Sequence, residues 1–221
     1  MASTSQALII GLGQFGMALA RTLSELGVEV LAVDTRPALV QMAAGFATEA
    51  ACFDASNEDS LARTDPKNRD LCVCAVGNEA REAAIIVTAL MRQMGAPYIV
   101  ARATDDLTER ILRLVGAHEI VNPERAFGER LANRLLYRDI VEQLPLGNDL
   151  MITELHPPAA MVGRSLAQLR LLERFDVNTV ALRTIGGGAT IQPDLNRPLA
   201  SEDILVLVSQ PKAVRKLLEA T

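Results

Sequence analysis

Gly11, Gly13, Gly16 and Asp34 have the residue types and spacing that let a backbone hold phosphate and a carboxylate hold sugar hydroxyls. The glycines form Gly11-x-Gly13-x-x-Gly16. In that pattern the first glycine makes a tight turn, the second lets phosphate oxygens approach the main chain, and the third lets a helix pack closely on a sheet. A helix starting there offers unpaired N–H groups and a partial positive charge to an anion. Asp34 closes an apolar run, Val28 to Val33, and can accept hydrogen bonds from ribose hydroxyls.

The surrounding elements fit that chemistry. Ala7 to Ile10 is apolar and predicts a short buried strand before the glycines. Phe15, Leu19, Leu23 and Leu26 recur every three or four residues and predict a helix that Gly27 ends. Strand, glycine turn, helix, second strand and terminal acid form a βαβ nucleotide-binding unit. Because that corner is acidic, a 2′-phosphate on the ribose is expected to be repelled, so NADPH should bind worst.

The alternation continues. A short helix is expected over Pro37 to Ala44 and strands over Glu49 to Phe53, Asp70 to Val76, Tyr98 to Ala101 and Glu119 to Val121. Helices are expected over Glu79 to Met94 and from Asp105 or Asp106 to Val115. This is the pattern of a doubly wound parallel sheet. Asn122 and Pro123 suit the N-cap and first turn of a further helix, expected to reach about Gln143 and to be either a partner-binding or a final core helix. Pro145 to Asn148 reads as a linker. Beyond it, alternating strands, a Ser165–Gln168 capping box, a hairpin around Gly186-Gly-Gly188 and a terminal helix give a small α+β lobe. The expected organisation is a Rossmann-like α/β domain over 1–143 and a second domain over 144–221.

Composition narrows the function. The chain has 221 residues, a net charge of −5 and 22% charged residues, a balance that argues against a nucleic-acid surface. No run approaches the roughly 18 apolar residues of a membrane span, and Met1 to Gln6 lacks a basic leader. A cytoplasmic protein is expected, with any membrane association through a partner. Three cysteines make a disulfide framework unexpected, and Cys72 and Cys74 share one face of a strand as small core residues. His118 and His156 are isolated and carry no catalytic role.

The Gly11-Leu-Gly-Gln-Phe-Gly16 turn, Ala32-Val-Asp34, Asp54-Ala-Ser56, Ala75-Val-Gly77, Gly116-Ala117 and Asn122-Pro-Glu124 resemble the RCK (KTN) regulatory subunits of potassium channels and transporters. Met161-Val-Gly163-Arg-Ser-Leu166 and Asp203 to Val208 resemble their C-terminal domain, so the likeness runs through the whole chain and is nearest the Ktr/Trk type. It implies a non-enzymatic gating subunit, built from dimers into an octameric ring beneath a membrane K⁺ pore. It implies ATP or ADP as ligand, with NAD(H) also bound by such lobes, and cyclic di-AMP in the C-terminal lobe near Val180, Ile191 and Pro193. The implied binding set is Gly11, Gly13, Gln14, Phe15, Gly16, Asp34, Thr35, Arg36, Asp54, Ala55, Val76, Gly77, Arg102 and Glu124. In it Asp54 lies beside the adenine, Arg102 approaches the phosphates, and Glu124 binds a divalent cation near the terminal phosphate. Many members carry arginine where this chain has Gln14, which bears on discrimination of ATP from ADP.

Bland roles stand beside these. Asp54 suits a turn cap, Arg102 a solvated strand end, and Glu124 the first turn of a helix. An NAD-dependent oxidoreductase is the competing reading, and it needs a proton donor or base by the nicotinamide. A third reading is a siroheme-type or quinone-linked regulator in which the fold only binds.

Overall fold

The computed structural model describes residues 5–147, 149–184, 188–191 and 193–220, without the side chains of Asn78 and Ala189. The chain divides into two compact units between Ala126 and Phe127. The first begins with β1 (Gln6–Ile10), α1 (Gln14–Glu25), β2 (Glu29–Asp34), α2 (Pro37–Ala43), β3 (Glu49–Cys52) and α3 (Glu58–Ala62). It continues with β4 (Leu71–Cys74), α4 (Arg81–Gln93), β5 (Ile99–Arg102), α5 (Asp106–Val115) and β6 (Glu119–Val121). All pairings are parallel, in the order β3-β2-β1-β4-β5-β6. Chain direction across the sheet reverses between β1 and β4, the switch point at which such sheets bind ligands.

Apolar strands form here because both sheet faces are covered. Side chains alternate between the faces. Leu8, Ile10, Leu31, Val33, Cys72 and Cys74 lie in one core cluster. Ala7, Ile9, Val30, Ala32 and Val73 lie in the other. The two cysteines therefore share a face as expected, and burial pushes their thiols up to about 12 and about 11. Helix ends follow local chemistry. The Asp105 carboxylate accepts the Thr108 N–H at 2.8 Å, and Gly116, at φ +115°, closes α5. A 3-10 turn over Asn78–Ala80 precedes α4, so that helix starts two residues later than expected.

α6 (Pro123–Leu136) starts as expected, with Asn122 accepting the Arg125 N–H at 2.9 Å. It stops at Leu136 rather than near Gln143. Ile140–Gly147 is instead a strand, β7, paired antiparallel with β8 (Leu150–Leu155). The helical reading failed because register shifts between Ile140 and Glu142, and again near Gly147, erase the period-2 signal. Of the stretch that read as a linker, Pro145 to Gly147 is the strand's end, Asn148 lies outside the described residues, and Pro145 is tolerated because β7 is an edge strand. The boundary expected at 143/144 would cut through β7, whereas the compact units divide inside α6.

The second unit continues with α7 (Leu166–Leu169), α8 (Leu171–Phe175), β9 (Asn178–Arg183), β10 (Ala189–Ile191), β11 (Ile204–Ser209) and α9 (Pro211–Glu219). Its antiparallel sheet has the order β10-β9-β11-β8-β7. The Ser165–Gln168 capping box forms. The expected Leu-rich helix is two short ones, because Arg170 adopts left-handed dihedrals between them. The hairpin turn at Gly186-Gly-Gly188 lies largely outside the described residues. Asp203, 2% exposed, pins the preceding turn by accepting the Ala200 N–H at 2.8 Å and both Nη groups of Arg197.

Candidate functional site

The carboxyl ends of the parallel strands bring the expected residues to one edge of the first unit. Gly11 has φ +93°, and a Cβ there would lie 2.9 Å from Val76 N. A Cβ on Gly16 would lie 1.9 Å from the Gly11 carbonyl oxygen, so helix and turn touch through glycine alone. Gly13 differs. A Cβ there would meet no atom within 4 Å, and Gly13 is the N-cap of α1 with no side-chain cap. The turn thus leaves an open cradle over the helix N-terminus. Its first-turn N–H groups and the dipole suit a phosphate there. Gln14 starts the helix and is exposed, while Phe15 packs against the core.

Asp34 ends β2 with its side chain 5% exposed. Its Oδ2 accepts the Leu12 N–H at 2.7 Å, tying the second strand to the glycine turn. Its Oδ1 accepts the Arg36 N–H at 2.9 Å. The Arg36 guanidinium adds Nε to Oδ1 at 3.0 Å and Nη2 to Oδ2 at 3.2 Å. Burial pushes the carboxyl's pKa up, but the Arg36 side chain and the two main-chain donors outweigh it and hold it below the ordinary 3.8. Thr35 is exposed beside it and accepts from Cys52 Sγ through its carbonyl oxygen.

The other expected residues divide by role. Asp54 is exposed and accepts Ser56 N and Oγ at 2.9 and 2.7 Å, which stabilises the turn and lowers its pKa. Asn57 rather than Asp54 caps α3. Ala55 is buried in the core. Val76 and Gly77 are half-buried at the end of β4. Arg102, whose side chain is 16% exposed, pairs through Nη2 with Glu124, which is 57% exposed. Arg102 Nε is buried with no hydrogen-bond partner, and Nη1 lies against Gly77. The edge thus gathers Gly13, the Asp34–Arg36 pair and the Arg102–Glu124 pair.

Sequence reasoning missed part of the site. Arg81, Thr104 and Thr108 line a small cavity with Val76, Gly77 and Arg102. The Asp105-x-x-Thr108 spacing signals the α5 cap and could have located Thr108. The main-chain N–H of Leu12 as an Asp34 partner has no sequence signal. His118 lies at the opposite edge of the sheet, where Nδ1 accepts the N–H of Ile99, the first residue of β5, and the ring stacks on Tyr98. His156 belongs to the second unit, with Nδ1 3.1 Å from the Asp203 carbonyl oxygen. There too, Val180 is partly buried on β9, Ile191 is 79% exposed on β10 and Pro193 is buried. Among the described residues no group of three or more His, Cys, Asp or Glu could hold a metal ion, and no helix is long and apolar enough to cross a membrane.

Comparison with known proteins agrees with this fold. A family model for the TrkA-N domain matches residues 7–123, and one for the TrkA-C domain matches residues 150–221. The Ktr system potassium uptake protein A of Vibrio alginolyticus is 31% identical over 95% of this chain and 94% of its own. The Ktr system potassium uptake protein C of Bacillus subtilis is 30% identical over 90% of each chain. Among solved structures, the GsuK channel has a TM-score of 0.68 at 16% identity, over 98% of this chain and 39% of that one. The GsuK channel bound to NAD has a TM-score of 0.54 at 20% identity, over 99% of this chain and 39% of that one. This chain thus spans less than half of the GsuK chains, and at those identities the likeness is one of fold. Both family models and both Ktr relatives place the chain in the RCK (TrkA-N/TrkA-C) family of potassium-transport regulatory subunits.

Proposed function

We propose that this protein is a nucleotide-responsive regulatory subunit of a membrane potassium-uptake system, acting by binding rather than turnover. The observation that carries the reading is the open cradle at Gly13 over the α1 N-terminus, with the Asp34–Arg36 and Arg102–Glu124 pairs on the same edge. An adenine nucleotide lies across the switch point, with phosphate at the cradle and the adenosine end toward β2 and β3. The buried, unpartnered Arg102 Nε fits an anionic ligand on the β4–β5 side. ATP or ADP is the proposed ligand, in keeping with a GsuK structure bound to ADP, and NAD(H) is the second candidate.

A divalent cation fits only with the nucleotide. Glu124 alone gives too few ligands, and phosphate oxygens must supply the rest. On this reading Glu124 would hold the cation together with phosphate oxygens, and Arg102, released from Glu124, would face phosphate. The exposed Phe127, Leu135, Leu136, Leu144 and Leu146 on α6 and β7 suit burial between copies of the chain. A ring of dimers, peripheral to the membrane on its cytoplasmic side, is the assembly that follows. Titration calorimetry of the purified chain with ATP and with ADP tests the binding. Saturable heat with either supports the reading, and no heat with ADP, ATP or NADH sinks it.

A further inference from the structure

The acid at the end of β2 does not face the ligand space as a bare carboxylate. An ionised carboxylate offers about four lone-pair sites. The Asp34 carboxylate accepts four hydrogen bonds from within the protein, donated by the main-chain N–H groups of Leu12 and Arg36 and by Nε and Nη2 of Arg36. The carboxylate is 5% exposed and the arginine side chain 62% exposed. A ligand reaching this corner therefore meets a guanidinium backed by a carboxylate. Arg36 Nη1 takes no part in the pair and remains for another acceptor.

Two kinds of adenosine face different demands there. A ribose with free 2′- and 3′-hydroxyls can bond to Asp34 only by breaking two charge-assisted bonds to Arg36. A ribose carrying a 2′-phosphate breaks none, because a planar guanidinium can hold a carboxylate with one edge and a phosphate with the other. Arg36 also feels Glu79, an exposed acid whose field water and salt screen.

We propose that Arg36 sets the ligand class of this corner, making the site accept an adenine nucleotide phosphorylated at the ribose 2′ position, with the guanidinium bridging Asp34 and the 2′-phosphate. This reverses the expectation that Asp34 repels such a ligand. It rests on the reading of the cleft as an adenine-nucleotide site, and it assigns Arg36 a specificity role.

The test compares two probes that differ only at the 2′ position, AMP and adenosine 2′,5′-bisphosphate, by equilibrium titration of the full chain and of Arg36→Ala. ADP is titrated in parallel. The parent should bind the bisphosphate no more than about threefold worse than AMP. Arg36→Ala should shift the ratio against the bisphosphate by about tenfold or more, with AMP binding tighter because Asp34 is released. Arg36→Ala keeps the main-chain bond to Asp34, and its thermal unfolding checks the fold. If the variant does not fold, the parent ratio decides alone. A parent that prefers AMP by more than about threefold, or a smaller shift in the variant, overturns the proposal. If ADP binds and neither probe does, the inference fails while the nucleotide reading stands. If ADP, ATP and both probes all fail to bind, the nucleotide reading itself falls.

Discussion

Asp34→Ala should destabilise the first unit even without ligand, and most of the loss should come from one main-chain donor. The carboxylate accepts the N–H of Leu12, a residue 1% exposed, at 2.7 Å. Removing that acceptor strands a buried donor, at about 1–3 kcal/mol. The Arg36 pair adds little, because the arginine is 62% exposed and such pairs are worth under about 1 kcal/mol. The total is about 1–4 kcal/mol, or roughly 3–20 °C in Tm for a unit of this size. Arg36→Ala should then cost less than about 1 kcal/mol. The loss should also depend on pH in a set direction. The folded pKa lies below 3.8, so the contribution is full above pH 3.8 and fades as pH falls through the folded value. The stability gap between parent and Asp34→Ala should narrow under acid. Calorimetric unfolding of the parent and both variants between neutral and acid pH tests this. If Asp34→Ala costs no more than Arg36→Ala at pH 7, the Leu12 anchor is not what fixes the turn.

Other outcomes follow from the same geometry. Gly16→Ala should cost several kcal/mol, since its Cβ meets the Gly11 carbonyl oxygen, while Gly13→Ala should leave the melting temperature nearly unchanged and weaken nucleotide binding in titration. In Glu124→Gln the Mg²⁺ dependence of nucleotide affinity should largely vanish, and an equal Mg²⁺ response in both proteins would reduce Glu124 to a helix-terminal acid. Asp203→Ala should selectively lower the unfolding temperature of the second unit, because it removes the buried acceptor of the Ala200 N–H and breaks the Arg197 pair. Light scattering at micromolar concentration should give a mass well above the 23.8 kDa of one chain, and a monomer would contradict the interface assigned to α6 and β7.

Much of this was legible in the sequence because local chemistry and fold agree. The Gly11–Gly16 turn, the apolar parallel strands and the Asn122-Pro123 helix start each carry a signal within a few residues. The failures were non-local. β7 looked helical because bulges hid its alternation, and its strand character depends on pairing with β8. Asp34 was correctly placed as the terminal acid of β2. Arg36 stands two residues away, and only the folded geometry shows its guanidinium covering the carboxylate. Asp54 suited a turn cap by residue type, and its carboxylate hydrogen-bonds to Ser56 within the turn.

The most direct measurement of the central claim is to isolate, by co-purification, the membrane subunit that the proposed function requires, and to follow potassium flux into vesicles that hold it. Flux should depend on added protein and should change when ADP replaces ATP. Gly13→Val should abolish that nucleotide response while still associating with the membrane subunit, since its side chain enters the phosphate cradle and its Cβ meets no atom of the fold within 4 Å. Flux that is the same with ATP, with ADP and with the variant would contradict the account.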